Sequence, residues 1–89
     1  MEIYKAVTIM LVEDDPGDQK LIKTSLKEQK ITNTPLVFNC GEDALEYLQK
    51  TKNDSSVTVP DLILLDLNMP GMGGREFLRQ IKSDTTLEI

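Results

Sequence analysis

The chain has 89 residues, 39% hydrophobic and 28% charged, with fifteen acidic against ten basic side chains and a net charge of -5. That length holds one domain, which buries only roughly 60–65% of its unfolded surface, and the composition is that of a soluble globular protein. Lacking a basic cluster and any histidine, and carrying one cysteine, the chain is not expected to bind nucleic acid, build a histidine-based metal site or catalytic triad, or form an internal disulfide. The N-terminus lacks signal-peptide order, and no apolar run approaches the roughly 20 residues of a membrane span. Together with the single cysteine, this predicts a cytoplasmic protein.

Val7-Thr8-Ile9-Met10-Leu11-Val12 is nearly all apolar and stops at Glu13-Asp14-Asp15-Pro16-Gly17. A continuous run bounded by turn chemistry predicts a strand buried on both faces, as in a parallel sheet. Pro16 suits a first helical position with Asp15 as N-cap. The helix to about Gln29 should carry Leu21, Ile22 and Leu26 on one face. Thr34-Pro35 breaks it, and Leu36-Val37-Phe38-Asn39-Cys40 reads as a second strand, with Cys40 a small buried hydrophobe. After Gly41, a second helix over Glu42 to Lys52 turns Leu45 and Leu48 inward and leaves Tyr47 on its flank.

A polar loop, Asn53-Asp54-Ser55-Ser56, precedes Pro60-Asp61 and a third buried strand, Leu62-Ile63-Leu64-Leu65, ending at Asp66. The glycine-rich loop from Leu67 to Gly74 leads into a third helix from about Arg75 to Lys82, with Phe77, Leu78 and Ile81 on its apolar face. The pattern is βαβαβα, so the sheet should be parallel with right-handed helical crossovers. If strands 2 and 3 flank strand 1, the order is 2-1-3 and the first two helices fall on opposite faces. Ligands of such open α/β sheets sit at the carboxyl ends of the strands, beside the reversal.

Glu13 and Asp14 follow strand 1 and Asp66 follows strand 3. Neighbouring strands lie about 4.8 Å apart, so these carboxylates can converge. Three that close repel and raise one another's pKa unless a cation sits among them. With only oxygen ligands at hand, a hard cation such as Mg2+ is the natural occupant, its shell completed by water and phosphate oxygens. Asp14 would be a direct ligand, Glu13 would orient a water of the shell, and the backbone carbonyl of Asn68 can reach in from the loop. Asp66 would offer its second oxygen as nucleophile towards phosphorus. Asp15 reads as a cap only, and Asp61, at the start of strand 3, lies at the wrong edge.

Val-Glu-Asp-Asp-Pro at 12–16 and Leu-Leu-Asp-Leu-Asn-Met-Pro-Gly-Met-Gly-Gly at 64–74 resemble the receiver domain of two-component response regulators. The loop at 51–59 and the Asp-Pro-Gly-Asp turn look most like single-domain regulators paired with bacterial phytochrome kinases. The resemblance implies a flavodoxin-like sheet of order 2-1-3-4-5 and a signalling module rather than an enzyme. It implies Mg2+-dependent phosphotransfer from a histidine kinase or phosphotransfer protein to Asp66, with Glu13 and Asp14 as the acid pair and Asn68 as carbonyl ligand. Gly73 departs from the family, which often has Asp there, with an effect confined to capping helix 3.

The family continues with a strand 4 ending in Ser or Thr, a strand 5 ending in Lys, and their helices, and residues 1–89 hold none of these. Thr85 and Thr86 precede where strand 4 would begin, and no lysine ends a strand; Lys5 precedes strand 1. The expectation is an incomplete receiver of about three βα units. Its uncovered strand 3 edge and helix 3 face should be buried in a homo-oligomer, a symmetric dimer or larger. Two other readings compete. A Mg2+-dependent phosphohydrolase of the haloacid-dehalogenase type also uses an Asp after a buried strand, but needs a second Asp two residues on, where this chain has Asn68. An assembly piece without phosphotransfer is the other. A flavin-binding reading fails, because the turn after strand 1 offers carboxylates to a phosphate.

Overall fold

Three strands, β1 (Ile9–Val12), β2 (Leu36–Phe38) and β3 (Leu62–Leu65), form one parallel sheet in the order β2-β1-β3. Helices α1 (Pro16–Glu28), α2 (Gly41–Asn53) and α3 (Gly74–Ser83) alternate with them. The computed structural model describes residues 7–29, 34–67, 69 and 71–84. The doubly wound, flavodoxin-like reading therefore holds in order, direction and number of units.

β1 is the central strand, and all four of its residues are buried. Its pleat sends Met10 and Val12 to one face, where they pack with Ala44 and Leu48 of α2, Met69, and Phe77 of α3. Ile63 and Leu65 of β3 and Phe38 of β2 join that cluster. Ile9 and Leu11 point the other way and are equally buried; Leu11 shares a groove with Ile22 of α1. α2 is tied to the sheet at its flank as well: Tyr47 packs on Phe38 with ring centroids 5.3 Å apart, and its hydroxyl donates to the Thr58 carbonyl at 2.6 Å.

α1 begins as its sequence demands. Asp15 is extended, Pro16 opens the helix, and the Gly17 N–H donates to Asp15 Oδ1 at 3.1 Å. The apolar face of α1 is narrower than expected, however: Leu21 is 66% exposed. Ile22 and Leu26, four residues apart, line the inward face, and Leu21 stands 100° round from Ile22. Two strands are also shorter than their apolar runs. β1 starts at Ile9 rather than Val7, and β2 ends at Phe38. Cys40 is the half-buried N-cap position of α2, not a core residue in a strand.

The third strand is not buried on both faces. Leu62 is 47% exposed and the other three residues are half-buried, because among the described residues only one edge of β3 is paired, with β1. Along the other edge Leu64, Leu65, Leu67, Leu78 and Ile81 line an open apolar groove of about 610 Å3. At the far end of the sheet Asp61 acts as a joint: Thr8 N–H donates to its Oδ2 at 2.9 Å, and its own N–H to the Thr8 carbonyl at 2.8 Å.

Candidate metal and phospho-acceptor site

The register sets the site. Val12 pairs with Leu65, so one step further Glu13 stands opposite Asp66 on the same face of the sheet. The Asp66 N–H donates to the Val12 carbonyl at 3.0 Å, which carries the ladder to the backbone of Asp66 itself. On the other side the Glu13 N–H donates to the Phe38 carbonyl at 3.0 Å. Both carboxylates thus hang from backbone held by sheet hydrogen bonds. One oxygen from each of Glu13, Asp14 and Asp66 lies within 4.8 Å of the others. Glu13 is buried, Asp66 half-buried and Asp14 exposed, so the cluster opens to solvent on the Asp14 side.

Burial pushes the Glu13 carboxyl up from its ordinary value, and the charges of Asp66 and Asp18 push the same way. The Asp15 N–H opposes them by donating to Glu13 Oε1 at 3.0 Å. Asp18, in the first turn of α1, is also raised, chiefly by Asp15 beside it. All the donors are hard oxygens, which suits a hard divalent cation and no soft metal.

The loop from Asp66 to α3 is fixed at two points. Gly71 adopts a positive φ of 72°, a region open to glycine. The Met72 N–H donates to Glu42 Oε1 of α2 at 3.3 Å. α3 then packs its first residue against Asp66: a β-carbon on Gly74 would lie 2.1 Å from the Asp66 carbonyl oxygen. As expected from its residue type, Gly73 is the N-cap of α3 and makes no side-chain capping bond.

The structure brings together Glu13, Asp14 and Asp66, the three carboxylates expected to converge. Asn68, Lys5, Thr85 and Thr86 lie outside the described residues. Sequence reasoning missed Gln19, Glu42 and the close approach of Gly74. For Gly74 a signal existed in the paired glycines before the helix; for the two polar side chains there was none, since their partners are carbonyl, amide and loop groups brought near by the fold.

Residues 9–89 match the model of the response regulator receiver domain. The chain belongs to that family. Among known proteins it is similar to response regulator Rcp1 of Synechocystis, 38% identical over 90% of this chain and 54% of that protein. Its fold is similar to the crystal structure of the phosphorylated cyanobacterial phytochrome response regulator RcpA, with a TM-score of 0.80 and 40% identity over 93% of this chain and 59% of that one. It is likewise similar to the Mn2+-bound form of response regulator Rcp1, with a TM-score of 0.70 and 36% identity over 91% and 58% of the two chains. The chain thus spans little more than half the length of these relatives. Receiver domains are signalling modules of two-component systems. Among the described residues no helix is long and apolar enough to cross a membrane.

Proposed function

We propose that this chain is the metal-and-acceptor part of a receiver, in which Asp66 takes a phosphoryl group from a histidine kinase or phosphotransfer protein. The observation that carries the reading is the convergence of Glu13, Asp14 and Asp66 within 4.8 Å at the strand tips. Three carboxylates that close are stable together when a cation offsets their charge. Glu13, Asp14 and Asp66, with the Asn68 carbonyl, would hold Mg2+, which when bound offsets the charge of both cluster and incoming phosphate. The Mn2+-bound and phosphorylated states named for the two structural relatives support the same reading.

The chain's own residues do the rest. An Asp66 carboxylate oxygen attacks phosphorus, so an O–P bond forms as the N–P bond of the donor phosphohistidine breaks. The imidazole keeps the electron pair and takes up a proton. Asp66 stays aimed because its N–H is bonded to Val12 and its carbonyl is packed under Gly74. Glu13, turned by the Asp15 N–H, closes the buried side of the site. The setting is the cytoplasm.

The test is incubation of the chain with Mg2+ and acetyl phosphate or beryllofluoride, read by intact mass and fluorine NMR, beside Asp66→Asn. An adduct lost in the variant is the expected result. An adduct that persists in Asp66→Asn, or none together with no Mn2+ binding, would sink the reading.

The residues in order form three βα units, which this reading takes as the first part of a receiver. The β3 edge that has no partner among the described residues, and its apolar groove, would be buried against a second copy. Light scattering showing a monomer at micromolar concentration would refute that pairing.

A further inference from the structure

We propose that Gln19 is a positioning residue that sets the direction of the Glu13–Asp14 pair. Its side-chain amide donates to the Glu13 carbonyl at 2.6 Å and to Asn39 Oδ1 at 2.7 Å. Both N–H groups of that amide are therefore used.

The place of the first bond gives it its force. β1 ends at Val12, and the last backbone rung to β2 is the one from the Glu13 N–H to Phe38. Beyond it Cys40 turns into α2, and Gln19 supplies a side-chain donor where the ladder stops. The carbonyl it holds belongs to the peptide plane joining Glu13 to Asp14. With the Glu13 N–H held by Phe38, fixing that plane fixes ψ of Glu13 and the frame from which Asp14 continues, and so bears on the directions in which both carboxylates leave the backbone. Asn39 ties the same amide to the tip of β2.

Gln19 is itself well anchored. Its N–H donates to the Asp15 carbonyl at 2.9 Å, the first backbone bond of α1, and Pro16 sets the start of that helix. The turn between β1 and α1 is thereby pinned across its mouth, from Gln19 to Glu13. An acid pair with rotational freedom could relax its repulsion by splaying apart; held at one angle, it stays arranged for a cation. Outer partners of this kind are worth roughly 10–100-fold in metal affinity.

This role rests on the metal site proposed above, and the experiment separates the two. Mn2+ affinity is measured by electron paramagnetic resonance of the free ion, for the wild-type chain, Gln19→Leu, Gln19→Arg and Asn39→Ala. Each is titrated at a temperature where circular dichroism shows the metal-free chain folded. Gln19→Leu should weaken Mn2+ about tenfold, and Gln19→Arg, which restores N–H donors, should recover to within about threefold. Asn39→Ala should fall between them, since it leaves the bond to Glu13 intact. A purely structural role would move melting temperatures and leave the affinity of the folded chain alone. Equal affinity in wild type and Gln19→Leu overturns the proposal while the metal site stands; should Gln19→Leu not fold, equal affinity in wild type and Asn39→Ala does so. No Mn2+ binding by the wild type overturns both.

Discussion

A β-carbon placed on Gly74 would sit 2.1 Å from the carbonyl oxygen of Asp66, and 2.7 Å from the Cα of Leu67. The first residue of α3 therefore rests directly on the backbone of Asp66. Helix α3 and the Asp66 backbone are in direct contact.

Gly74→Ala should destabilise the chain by at least the ~1–3 kcal/mol typical of overpacking, because the obstructing atoms are backbone. The gain of about 1 kcal/mol from replacing glycine in a helix is too small to offset that. Denaturant unfolding checks the stability, and the Mn2+ titration should weaken in parallel as Asp66 is displaced. Unchanged stability and affinity would refute the close packing.

Gly73→Ser should do the opposite. A β-carbon there meets only ordinary contacts at 3.6 Å and 3.8 Å, and the α3 N-cap makes no side-chain bond. A serine hydroxyl can accept from the first-turn N–H groups and add a few tenths of a kcal/mol. Serine adds no charge beside the acidic site, which an aspartate would. A small rise in melting temperature is expected.

Glu13 predicts an acid-side stabilisation of the metal-free chain. Its folded pKa is raised above 4.5, so the folded state binds its proton more tightly than the unfolded state does. Stability in EDTA should therefore rise as pH falls from about 7 towards 4.5, and Glu13→Gln should start higher at neutral pH and rise less. Asp18 acts in the same sense and remains in the variant. Glu76 acts the other way: Arg79 holds it down to about 2, so its contribution is lost only below 4.5. The two windows do not overlap. Thermal melts in EDTA across that range decide it; a Glu13→Gln chain less stable than wild type at neutral pH counts against the account.

Mg2+ should stabilise the chain. At about one hundred times its dissociation constant a cation that binds only the folded state adds about 2.7 kcal/mol. The increment should disappear in Asp14→Asn and on adding EDTA. Melting with and without Mg2+ reads it directly.

Phe77 is fully buried between α2 and the sheet face of Met10 and Val12. Phe77→Ala should cost about 3–5 kcal/mol. Set against the roughly 5 kcal/mol at the low end for a domain this small, that leaves a chain partly unfolded at room temperature, visible by circular dichroism.

The linear chain determined a good deal by itself. Apolar runs ending at Glu13 and Asp66 marked two strand tips, and the Asp15-Pro16 pair marked the start of α1, because periodicity and capping are local properties. The convergence of Glu13, Asp14 and Asp66 could be expected for the same reason: each follows a strand, and parallel strands share one end. Other features depended on the tertiary structure. The register opposing Glu13 to Asp66 comes from pairing between distant segments. Leu21 looked like a core residue until the rotation of α1 left it exposed. β3 reads as a doubly buried strand, yet burial depends on neighbours, and only one of its edges has a partner within the described sheet. Gln19 holding the Glu13 carbonyl, Glu42 holding the loop, and Gly74 seated on Asp66 are contacts across space. No periodicity encodes them, since each joins a side chain or glycine to backbone that only the folded sheet brings near.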